Sequence, residues 1–156
     1  MPDTAQSIAD RLHEEGSRVV DFFNSLSDEQ WGNLVYQHGS EWTMHHVLAH
    51  FASAERGRLE LIWDVSTGGQ GAPDGFDIDA FNFSEVQRLL GQSNHSLLEL
   101  FTQERSRLVA LVSSLQATHL ERVGNDPFLG QVPLVDMIKL TYRHLQIHLR
   151  DMRRCL

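Results

Sequence analysis

Apolar residues recur at steps of three and four in four separate stretches of this chain, and no stretch reads as a strand. The first covers residues 4–26, with Ile8, Leu12, Val19, Phe22 or Phe23 and Leu26 on one face and Asp3 or Thr4 placed to cap it. Residues 27–41 read as a connection, with a short turn of helix at 28–31. The second helix takes Thr43 as its N-cap and runs to residue 64, with Val47, His50, Phe51, Ala54, Leu61 and Ile62 together. Residues 65–75 carry Gly68, Gly69, Gly71, Pro73 and Gly75, a loop by composition. That loop is either a flexible connector or a mobile cover over a site. Asp79 or Ser84 caps a short helix through Leu90. Ser93 caps a longer one over 94–115, with Leu97, Leu98, Phe101, Leu108, Leu111, Val112 and Leu115 as its apolar face. Residues 116–132 read as irregular, with Gly124-Asn125-Asp126-Pro127 a turn. Pro133 then suits the first turn of a final helix running through Met137, Leu140, His144, Ile147 and His148 to the C-terminus. Four long helices without strands fold most simply as an all-α, antiparallel four-helix bundle, one domain over residues 1–156.

The charge balance limits what such a bundle can bind. The 156 residues hold 13 Lys+Arg against 21 Asp+Glu, a formal net charge of −8. A nucleic-acid partner requires a positive face to displace counterions, and an anionic membrane surface requires the same. Only Arg150, Arg153 and Arg154 cluster, so neither partner is expected. No stretch approaches the ~20 apolar residues that span a bilayer. Residues 1–4 do not open a secretory signal, so the cytoplasm is the expected location. The single cysteine, Cys155, excludes a disulfide within the chain and reads as a frayed terminal thiol. Phe22, Phe23, Phe81, Phe83 and Trp63 are expected mainly in the core, with an apolar contact surface as the alternative. Apolar residues to spare make a homodimer an expectation.

The histidines carry the chemistry. There are nine: His13, His38, His45, His46, His50, His95, His119, His144 and His148. Two pairs, His46/His50 and His144/His148, stand at i, i+4, where random placement gives about half a pair. His144 and His148 lie about 40° apart on a helical wheel. Met137, Leu140 and Ile147 surround them, so both rings face the bundle interior. His50 faces it likewise, among Val47, Ala54 and Leu61. His46 lies toward the flank of that face, a lesser candidate for a ligand or supporting group, and His45 points further away. His13, His38, His95 and His119 read as surface or loop residues. Inward imidazoles must have their nitrogens satisfied or lose roughly 1–3 kcal/mol per orphaned group. They satisfy one another poorly as hydrogen-bond partners, whereas a divalent metal accepts a lone pair from each neutral ring. A hydrogen-bonded polar pocket without metal is the alternative. Two histidines one turn apart and a third from a facing helix leave open positions on an ion for water or substrate.

Two stretches carry a family resemblance. Trp42-Thr43-Met44-His45-His46-Val47-Leu48-Ala49-His50-Phe51 and His144-Leu145-Gln146-Ile147-His148-Leu149-Arg150-Asp151-Met152 resemble the corresponding segments of the DinB/YfiT-like family of metal-dependent enzymes. The first has the family's tryptophan and small-hydroxyl start followed eight residues on by a histidine. The second has the paired histidines of its last helix. The resemblance implies a four-helix bundle with a three-histidine metal site, which falls on His50, His144 and His148. It implies no DNA binding, in agreement with the charge. Its members include low-molecular-weight-thiol S-transferases and a thiol-dependent isomerase. The isomerase type carries a further C-terminal domain. Because the sequence stops just after the last helix, that activity is not the one expected.

The expected function is therefore a metal-dependent enzyme, a thiol-dependent S-transferase or a hydrolase, acting on a small-molecule substrate. Its cofactor is a divalent ion (Zn, Ni, Fe or Mn), with a low-molecular-weight thiol as a further candidate. Three neutral ligands leave the ion's full charge for activating a water or a thiol. Asp151, one turn beyond His148, is placed either to orient a ligand ring or as a solvent-exposed carboxylate. The alternatives are a non-catalytic helical protein that binds a small molecule or a partner, and a structural metal. The latter fits less well, because structural zinc fills four positions with protein groups and only three candidates are present.

Overall fold

The hydroxyls of Thr4, Thr43 and Ser93 accept from backbone N–H groups and open three of the four long helices. The computed structural model describes residues 3–37, 39 and 41–156. The long helices are α1 (Ala5–Asn24), α2 (Met44–Ser66), α4 (Asn94–Ser113) and α6 (Leu134–Arg153). Pro133 sits at the N-cap of α6, one residue before its expected place in the first turn. The shorter helices are α3 (Ile78–Leu89) and α5 (Ala117–Leu120). Asp77, rather than Asp79 or Ser84, caps α3, its carboxylate accepting from Ala80 N at 3.0 Å.

The four long helices form a four-helix bundle, as expected, in which two of the four neighbouring pairs are antiparallel. Each of α1 and α2 packs against both α4 and α6. One end of the core holds Val19 and Phe23 of α1, Met44 to Ala52 of α2, Leu97 and Phe101 of α4, and Leu145 to Met152 of α6. The other holds Ile8 and Leu12, Ile62 and Val65, Leu108 and Val112, and Leu134 to Tyr142. The α1/α4 and α2/α6 neighbours are therefore antiparallel, while α2/α4 and α1/α6 run parallel. Helix α3 makes this order possible. It packs along α2 and returns the chain to the end where α2 began, with Leu90 O beside His45 at 3.1 Å.

Between the two apolar ends lies a polar waist. Glu55 of α2 and Arg105 of α4 are 1 % and 4 % exposed and pair through two hydrogen bonds of 2.6 and 2.7 Å. Arg105 also donates to Leu12 O of α1 at 2.8 Å, so one guanidinium ties three helices.

Two short hairpins appear where no strand was expected. β1 (Leu34–Tyr36) pairs with β2 (Trp42–Thr43), and β3 (Val123–Asp126) with β4 (Gly130–Pro133). Strands of two to four residues are too short for alternation to register. The turn expected at 124–127 moves on: Gly124, Asn125 and Asp126 are extended, and Asp126 Oδ1 accepts from Phe128 N and Leu129 N to close the bend behind them.

The glycine-rich connection between α2 and α3 is hydrogen-bonded to β3 through Asn125. Asn125 N donates to Gln70 O, Ala72 N to Asn125 O and Asn125 Nδ2 to Ala72 O, each at 2.8 Å. Gly71 has φ +89°, and a Cβ there would stand 2.5 Å from Asn125 O. Gly71→Ala is therefore expected to cost about 1–3 kcal/mol in urea unfolding, from left-handed strain and backbone overlap together.

Phe22 and Phe23 are core residues as expected. Trp63 and Phe83 are half or more exposed and Phe81 is partly so, because α2 and α3 turn those faces outward.

Candidate metal centre

His50 lies in the second turn of α2, which carries it into the apolar end of the bundle; it is 3 % exposed. His144 and His148 stand one turn apart on α6, the antiparallel neighbour of α2. The three rings converge. His144 Nε2 and His148 Nε2 are 2.9 Å apart, and the His50 ring centroid lies 5.4 and 5.3 Å from theirs. One nitrogen from each ring lies within 4.8 Å of the other two. Zinc–imidazole bonds of ~2.0–2.1 Å in a tetrahedral site place nitrogens about 3.3 Å apart, close to the spacing on α6.

Burial decides the protonation of this set. Desolvation lowers the pKa of all three histidines, that of His50 well below its ordinary value and that of His144 to about 4. The neighbouring imidazoles lower His50 further, whereas Asp151 partly opposes the effect at His148. At neutral pH the rings are neutral and each offers a lone pair. The Nδ1 of His50 is buried with no hydrogen-bond partner among the described residues. The protein alone thus leaves a buried donor set under-satisfied, and the three neutral nitrogens fit a divalent ion.

The same shifts give the pH dependence of folding. In the unfolded chain these histidines titrate near 6.5, so below that pH it takes up protons that the folded, metal-free chain refuses. Stability is fully present above pH 6.5 and falls as the pH drops toward 4. His144 alone is expected to remove about 2 kcal/mol between pH 7 and pH 5, measured by urea unfolding of the metal-free protein.

Tyr36 of β1 fixes the orientation of His148. Its hydroxyl donates to Asp151 Oδ2 at 2.6 Å, and its oxygen lies 2.7 Å from His148 Nδ1. With the phenolic proton committed to the carboxylate, the oxygen accepts from Nδ1–H and leaves Nε2 as the free lone pair. Burial, and then the bond to Asp151, raise the Tyr36 pKa and keep the proton on the phenol. Asp151 thus reaches His148 through Tyr36, and its own pKa is lowered chiefly by the bond from that hydroxyl. Tyr36→Phe is expected to weaken metal binding about 10- to 100-fold with the fold intact, read by calorimetric titration.

Sequence reasoning missed Tyr36, which lies in a stretch read as a connection, 112 residues from His148. His46 stays outside the cluster: its Nδ1 lies 2.8 Å from Thr43 Oγ1 and 3.2 Å from Thr43 N, in the capping box of α2. His45 bonds to Asn94 and to Leu90 O. His13 and His95 are exposed; His119 is half-buried and caps α5 through Gln116 N. His38 lies outside the described residues.

Two cavities meet at the cluster. A cleft of about 510 Å3 is lined by all three histidines with Tyr36, Trp42 and Phe128 among its walls. A second cavity of about 310 Å3 runs between α2 and α6 under α3 and the glycine-rich connection, and shares His50, Asn82, Phe128 and His144 with the cleft.

Solved structures with this fold carry related descriptions. YfiT from Bacillus subtilis, a probable metal-dependent hydrolase with an unusual four-helix bundle topology, superposes with a TM-score of 0.79 at 18 % identity, covering 97 % of this chain and 85 % of that one. The mycothiol-dependent maleylpyruvate isomerase superposes with a TM-score of 0.79 at 16 % identity, covering 96 % of this chain. The present chain spans 61 % of that isomerase's length. Its H52A mutant gives a TM-score of 0.78 at 15 % identity over the same shares. No curated protein matches the sequence significantly. The family profile of the DinB superfamily matches residues 11–152, a span that includes all three convergent histidines, and the chain belongs to that superfamily.

Proposed function

We propose that this protein is a metal-dependent enzyme in which His50, His144 and His148 hold one divalent ion, Zn, Ni, Fe or Mn, and that its reaction is hydrolysis of a small molecule. The observation that carries this reading is the convergence of three neutral imidazoles within 4.8 Å on the wall of an open cleft. A bound ion with three neutral ligands supplies a Lewis acid that makes a water or a thiol nucleophilic at neutral pH. The chain's own residues prepare the site. Tyr36 sets the His148 tautomer, and Asp151 holds the Tyr36 proton. Phe51 and Phe128 lie 5.7 Å from the His148 and His144 rings, and with Trp42 against His50 they restrict water around the donors. Hydrolysis is preferred to transfer from an anionic, carboxylate-bearing thiol because the cleft has no Lys or Arg among its described lining residues to receive one.

Thiol-dependent transfer is the second reading, favoured by the shared fold with the mycothiol-dependent isomerase. Assay of the metal-loaded protein with ester and amide substrates, with and without a panel of cellular thiols, separates the two. Turnover that needs metal and ignores thiol supports hydrolysis. Turnover that scales with thiol overturns it in favour of transfer.

A further inference from the structure

The cavity of about 310 Å3 beside the histidines has charged residues in its wall, and each of them already has a partner. Glu55 is held by Arg105 through two hydrogen bonds. Arg58 spends its guanidinium on Met137 O at 2.6 Å, Thr141 Oγ1 at 3.3 Å and Asp126 Oδ2 at 2.7 Å, the last an ion pair off hydrogen-bond alignment. Asp64 accepts from Gly71 N at 3.0 Å. Glu60, the outermost, pairs with Arg56 at 3.3 Å. The rest of the wall is almost wholly apolar, and Gly57 opens it further: a Cβ there would meet nothing nearer than the Phe81 ring at 4.0 Å.

A charged ligand entering this space would lose its hydration: an anion would meet no free cation, and a cation would meet only the carboxylate of Asp64, which is exposed and already holds Gly71 N, so an uncharged ligand avoids the cost. We propose that this cavity is the subsite for the uncharged, apolar portion of the substrate, an aryl or short alkyl group, whose polar end then lies at the three histidines. The volume agrees, since an apolar cavity of about 150 Å3 holds benzene and this one has room for a bicyclic ring. The inference rests on the metal-dependent reading for the identity of the polar end only, because the cavity walls do not depend on an ion.

Three probes with one ring frame test it: 2-naphthalenemethanol, 2-naphthoate and 2-naphthylmethylammonium. Their binding is followed by naphthalene fluorescence and by amide shifts in NMR, on metal-free and on zinc-loaded protein. Metal-free protein is expected to bind the neutral alcohol at least about tenfold more tightly than either ion, with shifts at Gly57, Gly71 and Leu140. Gly57→Leu, which fills the space with a better helix former, is expected to weaken that binding at least about tenfold. Ala54→Phe fills the same space from the preceding turn, should Gly57→Leu not fold. Equal or tighter binding of an ion by the metal-free protein overturns the proposal, as does unchanged alcohol binding in a folded, filled variant. Zinc binding without alcohol binding overturns the subsite alone. Alcohol binding by a protein that takes up no zinc supports the subsite and removes the metal reading instead.

Discussion

His148→Ala is expected to lower metal affinity by at least about 100-fold while helix content by circular dichroism stays at the wild-type level. Apparent binding free energies of structural zinc sites run to ~10 kcal/mol or more, so one nitrogen of three is worth about 3 kcal/mol. The fold survives because alanine is the best helix former, and because His148 sits at the cleft wall where its loss opens space to solvent. His144→Ala acts alike. His46→Ala, by contrast, loses a helix cap and leaves metal binding unchanged, since its ring stays on Thr43. Calorimetric titration of the three variants with zinc distinguishes a three-histidine centre from binding by scattered surface imidazoles.

Arg105→Ala is expected to give the largest loss of stability of any single change outside the metal centre, about 3–5 kcal/mol in urea unfolding. Glu55 would remain as a carboxylate at 1 % exposure with its two hydrogen bonds gone, and Leu12 O would lose its donor. Removing both partners together, as Glu55→Leu with Arg105→Met, is expected to recover most of that loss, because apolar side chains of similar volume carry no unpaired charge into the core. If the double variant were as unstable as the single one, the waist would owe its stability to shape rather than to charge compensation. Gly16 belongs to the same arrangement: a Cβ there would stand 2.9 Å from Arg105 Cγ, so the glycine lets α1 close over the arginine stem.

Much of this architecture was legible in the sequence for a simple reason. Long helices repeat their apolar pattern over five turns, and hydroxyl caps at Thr4, Thr43 and Ser93 mark where three of them begin. The inward faces of His50, His144 and His148 followed from the same periodicity and the three rings do converge, but Ile147, expected on that face, is exposed. What escaped were features that depend on partners distant in the chain. The hairpins are two to four residues long. The glycine-rich connection is fixed by Asn125, and Tyr36 meets His148 only because β1 crosses the end of α6. The Arg105 pair left a readable trace: Leu97, Phe101, Arg105, Leu108 and Val112 continue one apolar stripe with a charge at its centre. A charged residue at a core position of a regular helix requires a buried counter-charge, and Glu55 occupies the matching interior position on α2.

The parallel pairing of α2 with α4 was not readable from periodicity, because a helix buries the same face whichever way it runs. The chain returns along α2 as α3 before α4 begins, and this crossover sets the direction. It also roofs the apolar cavity and so links the topology to the site.

The most direct test is the metal content of tag-free protein, stripped with chelator and reconstituted in turn with Zn, Ni, Mn and Fe. Convergent, neutral imidazoles predict about one equivalent bound with at least one of these ions. Less than ~0.2 equivalents with every one of them contradicts the account, and the catalytic reading falls with it.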